Sequence, residues 1–521
     1  MASHLKALIP ALGLAFAVSV AAKPASAALP HLGNPLTAAF TATAGNAVPS
    51  DPSSEDHEAG SGAHGEGHDV LLELGIKLPE WTILPFVGLL LAIAILPLVA
   101  EHWWENNVNR AIVSAAFAIP VAAYLLAVWG HAGWEALLEK AIEYTSFIAL
   151  LAVLFIITGG IVVEGSLAGT PLVNTVMLAI GGVLANLIGT TGAAMLMVRP
   201  ILKANVARTR KVHIVIFLIF VCANCGGLLT PLADPPLFLG FINGVPFEWT
   251  LRLIPEWLFV NGLLLLIFNI WDQWALSREE MEKPGALLEQ VIEHAPFRIR
   301  GWHNIFFLIG VVAAIFASGK GLGTGGEPWP FGYRELIFLV LALLAWFTTP
   351  GVNREANEFT FNPIIEVAVL FAGIFVCMAP ALLILNAWGQ GMRTVFGVPF
   401  GLSEPWQFFW ATGILSSFLD NAPTYLTFAA TACGLENISL QGQYLAVLIE
   451  RGSEGEKLLE AISCGAVFMG AMTYIGNAPN FMVRSIAAES GVRMPTFFGY
   501  MLYSITILVP VLLVVTYLFL L

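Results

Sequence analysis

"GGLLTPLADPPLFL", residues 226–239, lies inside a long apolar run of the kind that predicts a membrane helix. It contains prolines and a carboxylate, which interrupt a helix or are costly inside a bilayer. A weaker copy, "GAMTYIGNAPNFMV", occupies residues 470–483. In the aligned copies Thr230 matches Thr473 and Asp234 matches Asn477. Two helices interrupted in the same way indicate an internal repeat.

The composition assigns these runs to a membrane protein. Of 521 residues, 57% are hydrophobic and only 11% are charged. This is far outside the usual composition of soluble domains. The net charge of -13 argues against nucleic acid as a partner. The sequence therefore predicts an all-α polytopic membrane protein whose partners are the lipid bilayer and small inorganic ions.

The N-terminal segment resembles a bacterial secretory signal. Residues 1–27 hold a short basic start, an apolar core and a small-residue end at Ala27. We expect this signal peptide to be cleaved after Ala27 or to remain as a signal anchor, and the protein to be multi-pass in the bacterial inner membrane. Residues 28–80 would then be an exported acidic linker. Its His57, His64 and His68 are expected to belong to a disordered tether.

Apolar runs long enough to cross a ~30 Å hydrocarbon layer predict the spanning helices. They lie near 83–100, 110–130, 144–163, 212–242, 250–271, 302–318, 334–349, 361–385, 461–485 and 497–520. Two more runs, 171–202 and 405–432, are interrupted by "ANLIGTTGAA" and "FLDNAPTYL" and predict re-entrant hairpins. We expect a first repeat at 83–271, a cytoplasmic linker at 272–301 and a second repeat at 302–521.

The loop after the first hairpin orients the chain. Its basic residues, which have no acid between them, are Arg199, Lys203, Arg208, Arg210 and Lys211. The positive-inside rule makes this loop cytoplasmic, so the helix at 212 runs outward and the helix at 461 runs inward. The repeats are then inverted. Inverted repeats with broken helices are typical of secondary transporters, whose substrate site lies near the membrane midplane.

The two hairpin tips and the two breaks supply the candidate ion site. Asp234 and Asp420 are its main residues, because an intramembrane carboxylate usually marks an ion or proton pathway. A proton and a cation could compete for the same oxygens, although Asp234 could instead cap a half-helix. The other candidates are hard oxygen donors suited to an alkali cation: Asn186, Thr190, Thr191, Thr230, Asn421, Thr424, Thr473 and Asn477. Glu164 and Glu366 are secondary candidates. We predict no cofactor or catalytic residue; sodium or lithium and protons are substrates.

Three motifs carry a family resemblance: "SSFLDNAPTYL", "GGLLTPLADPPLF" and "TYIGNAPNF". They resemble signatures of the ion transporter superfamily and, within it, of the NhaD-type sodium/proton antiporters, over roughly residues 83–520. The resemblance implies a homodimer with a scaffold and a moving transport domain, working by an elevator type of alternating access. It also implies an ion site formed by Asn186, Thr190, Asp234, Asp420, Asn421, Thr473 and Asn477.

The resulting prediction is exchange of sodium or lithium for protons. A sodium-coupled carboxylate symporter or an arsenite-type carrier on the same scaffold is the alternative. Against a dicarboxylate, no Lys or Arg lies within the four site elements, and the first tip, "NLIGTTG", departs from the dicarboxylate branch. An intramembrane enzyme is a remote alternative, since the spans contain no "HExxH" or paired "GxGD".

Overall fold

A computed structural model describes residues 65–164, 168–282 and 298–521. The predicted signal segment 1–27, the linker up to residue 64 with His57 and His64, and the side chain of His68 lie outside the described part. Before residue 283 the helices are α1 (Gly65–Lys77), α2 (Leu84–Val99), α3 (Glu101–Trp104), α4 (Asn107–Thr158), α5 (Pro171–Ala204), α6 (Val212–Phe220), α7 (Pro235–Ile242) and α8 (Ile254–Glu282).

From residue 298 onward the described helices continue to the C-terminus. They are α9 (Asn304–Gly319), α10 (Tyr333–Thr348), α11 (Gly351–Ala356), α12 (Asn362–Gly389), α13 (Pro405–Phe418), α14 (Asn421–Leu435), α15 (Tyr444–Glu450), α16 (Ser453–Met469), α17 (Ala478–Glu489) and α18 (Phe497–Val515). One short antiparallel pair interrupts the helical fold, with β1 (Val162–Glu164) against β2 (Arg298–Arg300).

Among the described residues, six helical segments are long and apolar enough to cross a membrane: Glu80–Val99, Asn107–Thr158, Pro171–Ala204, Phe247–Glu282, Asn362–Gly389 and Phe497–Leu520. Large apolar side chains such as Ile119 and Ile270 are exposed on their outer faces. Such surfaces suit contact with lipid rather than water. The predicted all-α polytopic architecture is confirmed at this level, whereas the inverted relation of the repeats and the elevator movement remain predictions.

The sequence predicted separate helices near 110–130 and 144–163, and the structure separates two helices at Gly130. The stretch named α4 consists of two helices joined by a sharp kink at Gly130, whose φ of 50° and ψ of -114° leave the helical range, and the second helix begins there rather than near residue 144. The charged residues before 144 belonged to neither predicted span. Lys140 instead donates a hydrogen bond to Glu143 at 2.6 Å within the helix, and both side chains are buried.

The disorder predicted for residues 28–80 is wrong for α1. Leu71, Leu74 and Leu78 follow a helical spacing and are buried, with at most 5% of each exposed. The Arg393 guanidinium donates hydrogen bonds to the carbonyls of Gly75 at 2.7 Å and Leu78 at 2.8 Å. An apolar helix face and these carbonyl bonds hold the segment against the helical core.

Helix α8 continues to Glu282 instead of ending at 271, where the linker 272–301 was expected to begin. The reason is a buried ion cluster. Arg208 pairs with Asp272 at 2.8 Å and with Glu279 at 2.9 Å. The basic loop therefore does have acidic partners, supplied by a distant helix. Because acidic residues count little in the positive-inside rule, the predicted orientation is unaffected and remains a prediction.

Both interrupted runs fold back on themselves. In α5 the chain turns at Gly189, which has a φ of 78°, and Asn174 and Asn205 exchange hydrogen bonds at 3.0 and 2.8 Å across the base. In the second hairpin, α13 and α14 meet at Asp420. Asn386, near the end of α12, donates to the carbonyls of Ala430 at 3.1 Å and Ile438 at 2.8 Å, which fixes the base of that hairpin.

Candidate functional site

The first broken helix opens beside the tip of the first hairpin. Helix α6 passes into a π-helical turn, Val221–Cys225, and the chain is non-helical from there to Asp234. Helix α7 begins at Pro235, where a missing N–H leaves no donor unpaired. A Cβ on Gly227 would lie 2.3 Å from Thr190 Cγ2. Only glycine lets the break approach the hairpin this closely.

The second broken helix repeats this arrangement. Helix α16 passes through a 3₁₀ turn, Gly470–Met472, into extended backbone at Thr473, and α17 follows Asn477. The two aligned threonines make equivalent contacts. The Thr230 hydroxyl donates to the carbonyl of Asn186 in the first hairpin, and the Thr473 hydroxyl donates to the carbonyl of Ser417 in the second. Each threonine ties a break to its own hairpin.

Asp234 joins all four elements. Its Oδ1 accepts hydrogen bonds from Thr190 Oγ1 at 2.8 Å and from Asn477 Nδ2 at 3.2 Å. Its Oδ2 accepts a hydrogen bond from Asn421 Nδ2. The residue is only 2% exposed. It stands at the N-cap position of α7 but makes no side-chain capping bond to the described backbone there, so capping does not account for it.

Asp420 has a different environment. Its carboxylate accepts a hydrogen bond from the backbone N–H of Ala422 at 3.1 Å and so caps α14. The side chain is partly exposed and lines a cavity. The capping role considered for Asp234 therefore belongs to Asp420, whose side chain is also partly exposed to the cavity.

The cavity has a volume of about 410 Å³ and lies between apolar faces of α2, α4 and α12 and the tips and breaks. The site residues that line it are Gly189, Thr190, Thr191, Asp234, Asp420 and Asn477. Four helical segments begin here, namely α7, α14, α17 and the second arm of α5. Helix N-termini carry partial positive charge, so their convergence favours a bound anion.

One basic side chain lines this cavity among the described residues, and the sequence did not predict it. Arg110 of α4 pairs with Glu366 at 3.0 Å and donates to Asn107 at 2.7 Å. It lies outside the four elements to which the sequence argument was confined. Glu366, a secondary candidate, does reach the cavity. Glu164 lies in β1, and its side chain is outside the described part.

Oxygen atoms dominate the chemistry around Asp234. Asn421 is fully buried, and its Oδ1 has no hydrogen-bond partner in the part of the chain that the structure describes. A free amide oxygen beside a carboxylate is a suitable ligand for an alkali cation. No group of three or more His, Cys, Asp or Glu side chains within the described ranges could hold a metal ion. A cation would therefore depend on mixed amide, hydroxyl and carboxylate oxygens.

Other predicted site residues form hydrogen bonds with the backbone of the tips and breaks. The Asn186 side chain accepts from the N–H of Leu229 at 2.8 Å, and the Thr424 hydroxyl donates to the Asp420 carbonyl at 2.9 Å. These contacts shape the tips without reaching Asp234.

The sequence argument also missed a link between the two broken helices. Asn224 donates to Asn480 Oδ1 at 2.7 Å and accepts from Asn477 at 3.3 Å. The available signal was a lone amide, Asn224, inside the apolar run of α6 and its π turn. The network holds the two breaks against each other.

A family model described as "Putative citrate transport" matches residues 75–520. The chain belongs to this family. Membership in this citrate-transport family, together with the long apolar helices, identifies a multi-pass membrane protein of a transporter family. The family description agrees better with the carboxylate alternative than with sodium/proton antiport, and it gives no support to the NhaD-type subfamily. No curated protein matches the chain.

Proposed function

We propose that the protein is a secondary active transporter that carries a polycarboxylate of the citrate class together with cations. The observation that carries this proposal is the cavity itself. Helix N-termini and the Arg110 guanidinium face the same space, beside Asp234 and Asp420. The family match supports the substrate class.

The charges around the cavity explain why cations must accompany the anion. Arg110 is already paired with Glu366, and Asp234 and Asp420 add negative charge. Each helix N-terminus contributes only about half a positive charge. A carboxylate entering alone would meet net repulsion. Sodium ions or protons bound at the oxygens of Asp234 and Asn421 would remove it.

The hydrogen bonds at Asp234 support movement of the site as a unit. They join the first break to both hairpin tips and to the second break. In the proposed cycle the two hairpins and two broken helices move together against α2, α4 and α12, in the elevator manner, within a homodimer in the bacterial inner membrane. In this proposal the structure represents one end state of the movement, in which Asp420 lines the cavity.

The test is uptake of labelled citrate by purified protein in proteoliposomes under inward gradients of sodium, lithium or protons. Citrate should accumulate only when one cation gradient is present, and excess unlabelled citrate should compete. Empty liposomes give the background. Cation-for-proton exchange in the same vesicles, with no carboxylate uptake under any gradient, would refute the proposal.

Sodium/proton antiport is a second candidate because one observation favours it. Asp234 and the unpartnered Asn421 Oδ1 form an oxygen site that needs no organic substrate. A pH-sensitive dye inside the same vesicles reports this activity. Proton release on addition of sodium without citrate would favour the antiporter.

A further inference from the structure

The ion pair in the cavity uses only part of what its arginine offers. Arg110 Nη2 lies 3.0 Å from Glu366 Oε1, and Arg110 Nη1 donates to Asn107 Oδ1 at 2.7 Å. Arg110 Nε is buried and has no hydrogen-bond partner in the described part of the chain. Nε and Nη2 form one edge of the guanidinium, on which a carboxylate can accept two parallel hydrogen bonds. Glu366 therefore occupies one donor of an edge that provides two.

The unpaired Nε–H indicates a ligand that completes this edge. Buried polar atoms are nearly always paired in native structures, so a buried donor without a partner needs an explanation. The Arg110 side chain lines the cavity, where a ligand can reach it. A planar carboxylate matches the fixed geometry of the two donors, whereas a cation would be repelled by the guanidinium. The edge is therefore suited to one carboxylate of a bound anion.

The Arg110 side chain is held in place by groups other than Glu366. Asn107, one turn earlier on α4, accepts its hydrogen bond from Nη1. The guanidinium carbon also lies 6.0 Å from the centre of the Trp104 ring, within the range of a cation–π contact. Trp104 is itself buried. The guanidinium would therefore keep its position if its carboxylate partner changed.

Glu366 is the more exposed member of the pair. Its side chain is 37% exposed, against 11% for Arg110, and both side chains line the cavity. The backbones of their helices are fixed beside each other, because Ser114 of α4 donates to the Val369 carbonyl of α12 at 3.0 Å, about one turn from the ion pair. An ion pair at a partly exposed position typically changes an equilibrium by only about 1.4-fold to 5-fold. A competing carboxylate could therefore displace Glu366 while both helices stay in place.

We propose that Glu366 is an internal competitor of the substrate. It pairs with Arg110 when no substrate is bound, leaves the Nε–Nη2 edge to one substrate carboxylate on binding, and pairs with Arg110 again on release. The exchange spares the guanidinium a state in which its charge is buried alone, which would be costly. Glu366 is then a positioning residue that acts through Arg110. This inference rests on the proposed carriage of a polycarboxylate.

The competition would also contribute to specificity. A ligand gains from Arg110 only the difference between its own hydrogen bonds and the one that Glu366 gives up. A carboxylate that fills both donors of the edge gains from the exchange, whereas a neutral hydroxyl or amide does not. The pair therefore favours carboxylates over uncharged ligands of similar shape.

The test compares Glu366→Gln with wild type in proteoliposomes, with labelled citrate under the cation gradient that supports uptake. A neutral amide competes weakly for the guanidinium, so a larger fraction of the protein has a free edge. The KM for citrate should fall by about twofold to fivefold. The kcat should fall as well, because the bound carboxylate then leaves without a replacement partner. An unchanged KM in Glu366→Gln would overturn the proposal.

Glu105→Gln is the matched control for charge. Glu105 lines the same cavity, and its carboxylate lies 4.0 Å from His102. The substitution removes the same negative charge without removing the competitor, so its KM should change less than that of Glu366→Gln. Equal falls in KM for the two variants would indicate a general effect of charge and would contradict the exchange at Arg110.

The double variant Arg110→Gln/Glu366→Gln tests whether Glu366 acts through Arg110. When Arg110 is absent there is no guanidinium to compete for, so adding Glu366→Gln to Arg110→Gln should leave the KM unchanged. A further fall of the same size would assign the effect of Glu366 to another contact. Thermal stability in detergent checks that each variant is folded.

The same experiment distinguishes failure of this inference from failure of the proposed function. Absence of citrate uptake by the wild type under every cation gradient would refute both. Citrate uptake by the wild type, with the same KM in Glu366→Gln, would refute only the competition between Glu366 and the substrate.

Discussion

Asn421 donates a hydrogen bond from its amide nitrogen to Asp234, although the two residues lie 187 positions apart in the chain. This bond orients the amide, because an ionised carboxylate only accepts hydrogen bonds. The Asn421 oxygen is left buried, with no partner in the described part of the protein. An unpaired buried acceptor costs free energy, which a bound cation would recover.

Asp234→Asn should lose transport by about tenfold or more, because the amide cannot accept all three donors. The new NH₂ group would face a donor of Asn421 or Asn477 and cost about 1–3 kcal/mol of stability. Substrate uptake and thermal stability in detergent measure the two effects. Glu358→Gln is the control, since Glu358 pairs with Arg199 at an exposed position. Wild-type transport by Asp234→Asn would contradict the site.

Two variants of Asp420 distinguish its helix-capping role from the role of its carboxylate in the cavity. Asp420→Asn should keep the capping bond to Ala422 and normal stability, while Asp420→Ala should lose about 1 kcal/mol of stability. Both should lose cation-driven uptake, because both remove the carboxylate from the cavity. The measurements are thermal unfolding and uptake for the same preparations. Normal uptake by Asp420→Asn would limit Asp420 to a structural role.

Gly227→Ala should disrupt the contact between the first break and the first hairpin tip. The added methyl would overlap Thr190, and overpacking of this kind typically costs about 1–3 kcal/mol. Gly262→Ala is a matched control on α8, where no described atom outside the adjoining stretch of that helix lies within 4 Å of the new Cβ. There alanine should be neutral or stabilise the helix by up to about 1 kcal/mol. Equal behaviour of the two variants would refute the close approach.

Arg110→Gln should raise the KM for citrate by about tenfold or more, because a carboxylate loses its cationic partner. The KM of Arg110→Lys should lie between those of Arg110→Gln and wild type, since an ammonium cannot form the two parallel bonds of a guanidinium. Arg199→Gln, which alters an ion pair with Glu358 that is not part of the cavity lining, should keep the wild-type KM. An unchanged KM in Arg110→Gln would show that substrate carboxylates do not use Arg110.

Single cysteines test the predicted orientation. Val206 and Leu322 are exposed, at 71% and 57%, and belong to loops predicted to lie on opposite sides of the membrane. The five native cysteines are buried, so an impermeant thiol reagent should report the introduced residue. Val206→Cys should react only from the cytoplasmic side and Leu322→Cys only from outside. Reaction from one common side would refute the inverted repeats.

Local sequence was enough for the apolar helices and for the two breaks, because Pro and Gly interrupt helices through their own backbone chemistry. It also brought Thr190, Asp234, Asn421 and Asn477 into one candidate site. Prediction from local sequence failed where residues distant in the chain determine the local structure. Helix α8 extends past Asp272 because Arg208, which is distant in the chain, pairs with it.

Arg110, which lines the cavity, is another residue whose role local sequence could not predict. Nothing in its local sequence distinguishes it from an anchoring arginine near a membrane boundary. Its significance comes from Glu366 and from the hairpin tips across the cavity, which are far away in the chain. Leu71 and Leu74 of α1, with Leu78 just after it, form too short an apolar pattern to predict a helix next to a long polar linker.

The cavity also has an electrical consequence. In the proposed cycle, water that enters the cavity would bring the potential of one solution close to Asp420, and most of the membrane voltage would then fall across the protein beyond the tips. Moving one elementary charge through 100 mV is worth about 2.3 kcal/mol. Transport should therefore respond to an imposed potassium diffusion potential whenever cargo and coupled cations carry net charge together. The direction of that response gives the sign of the charge that crosses.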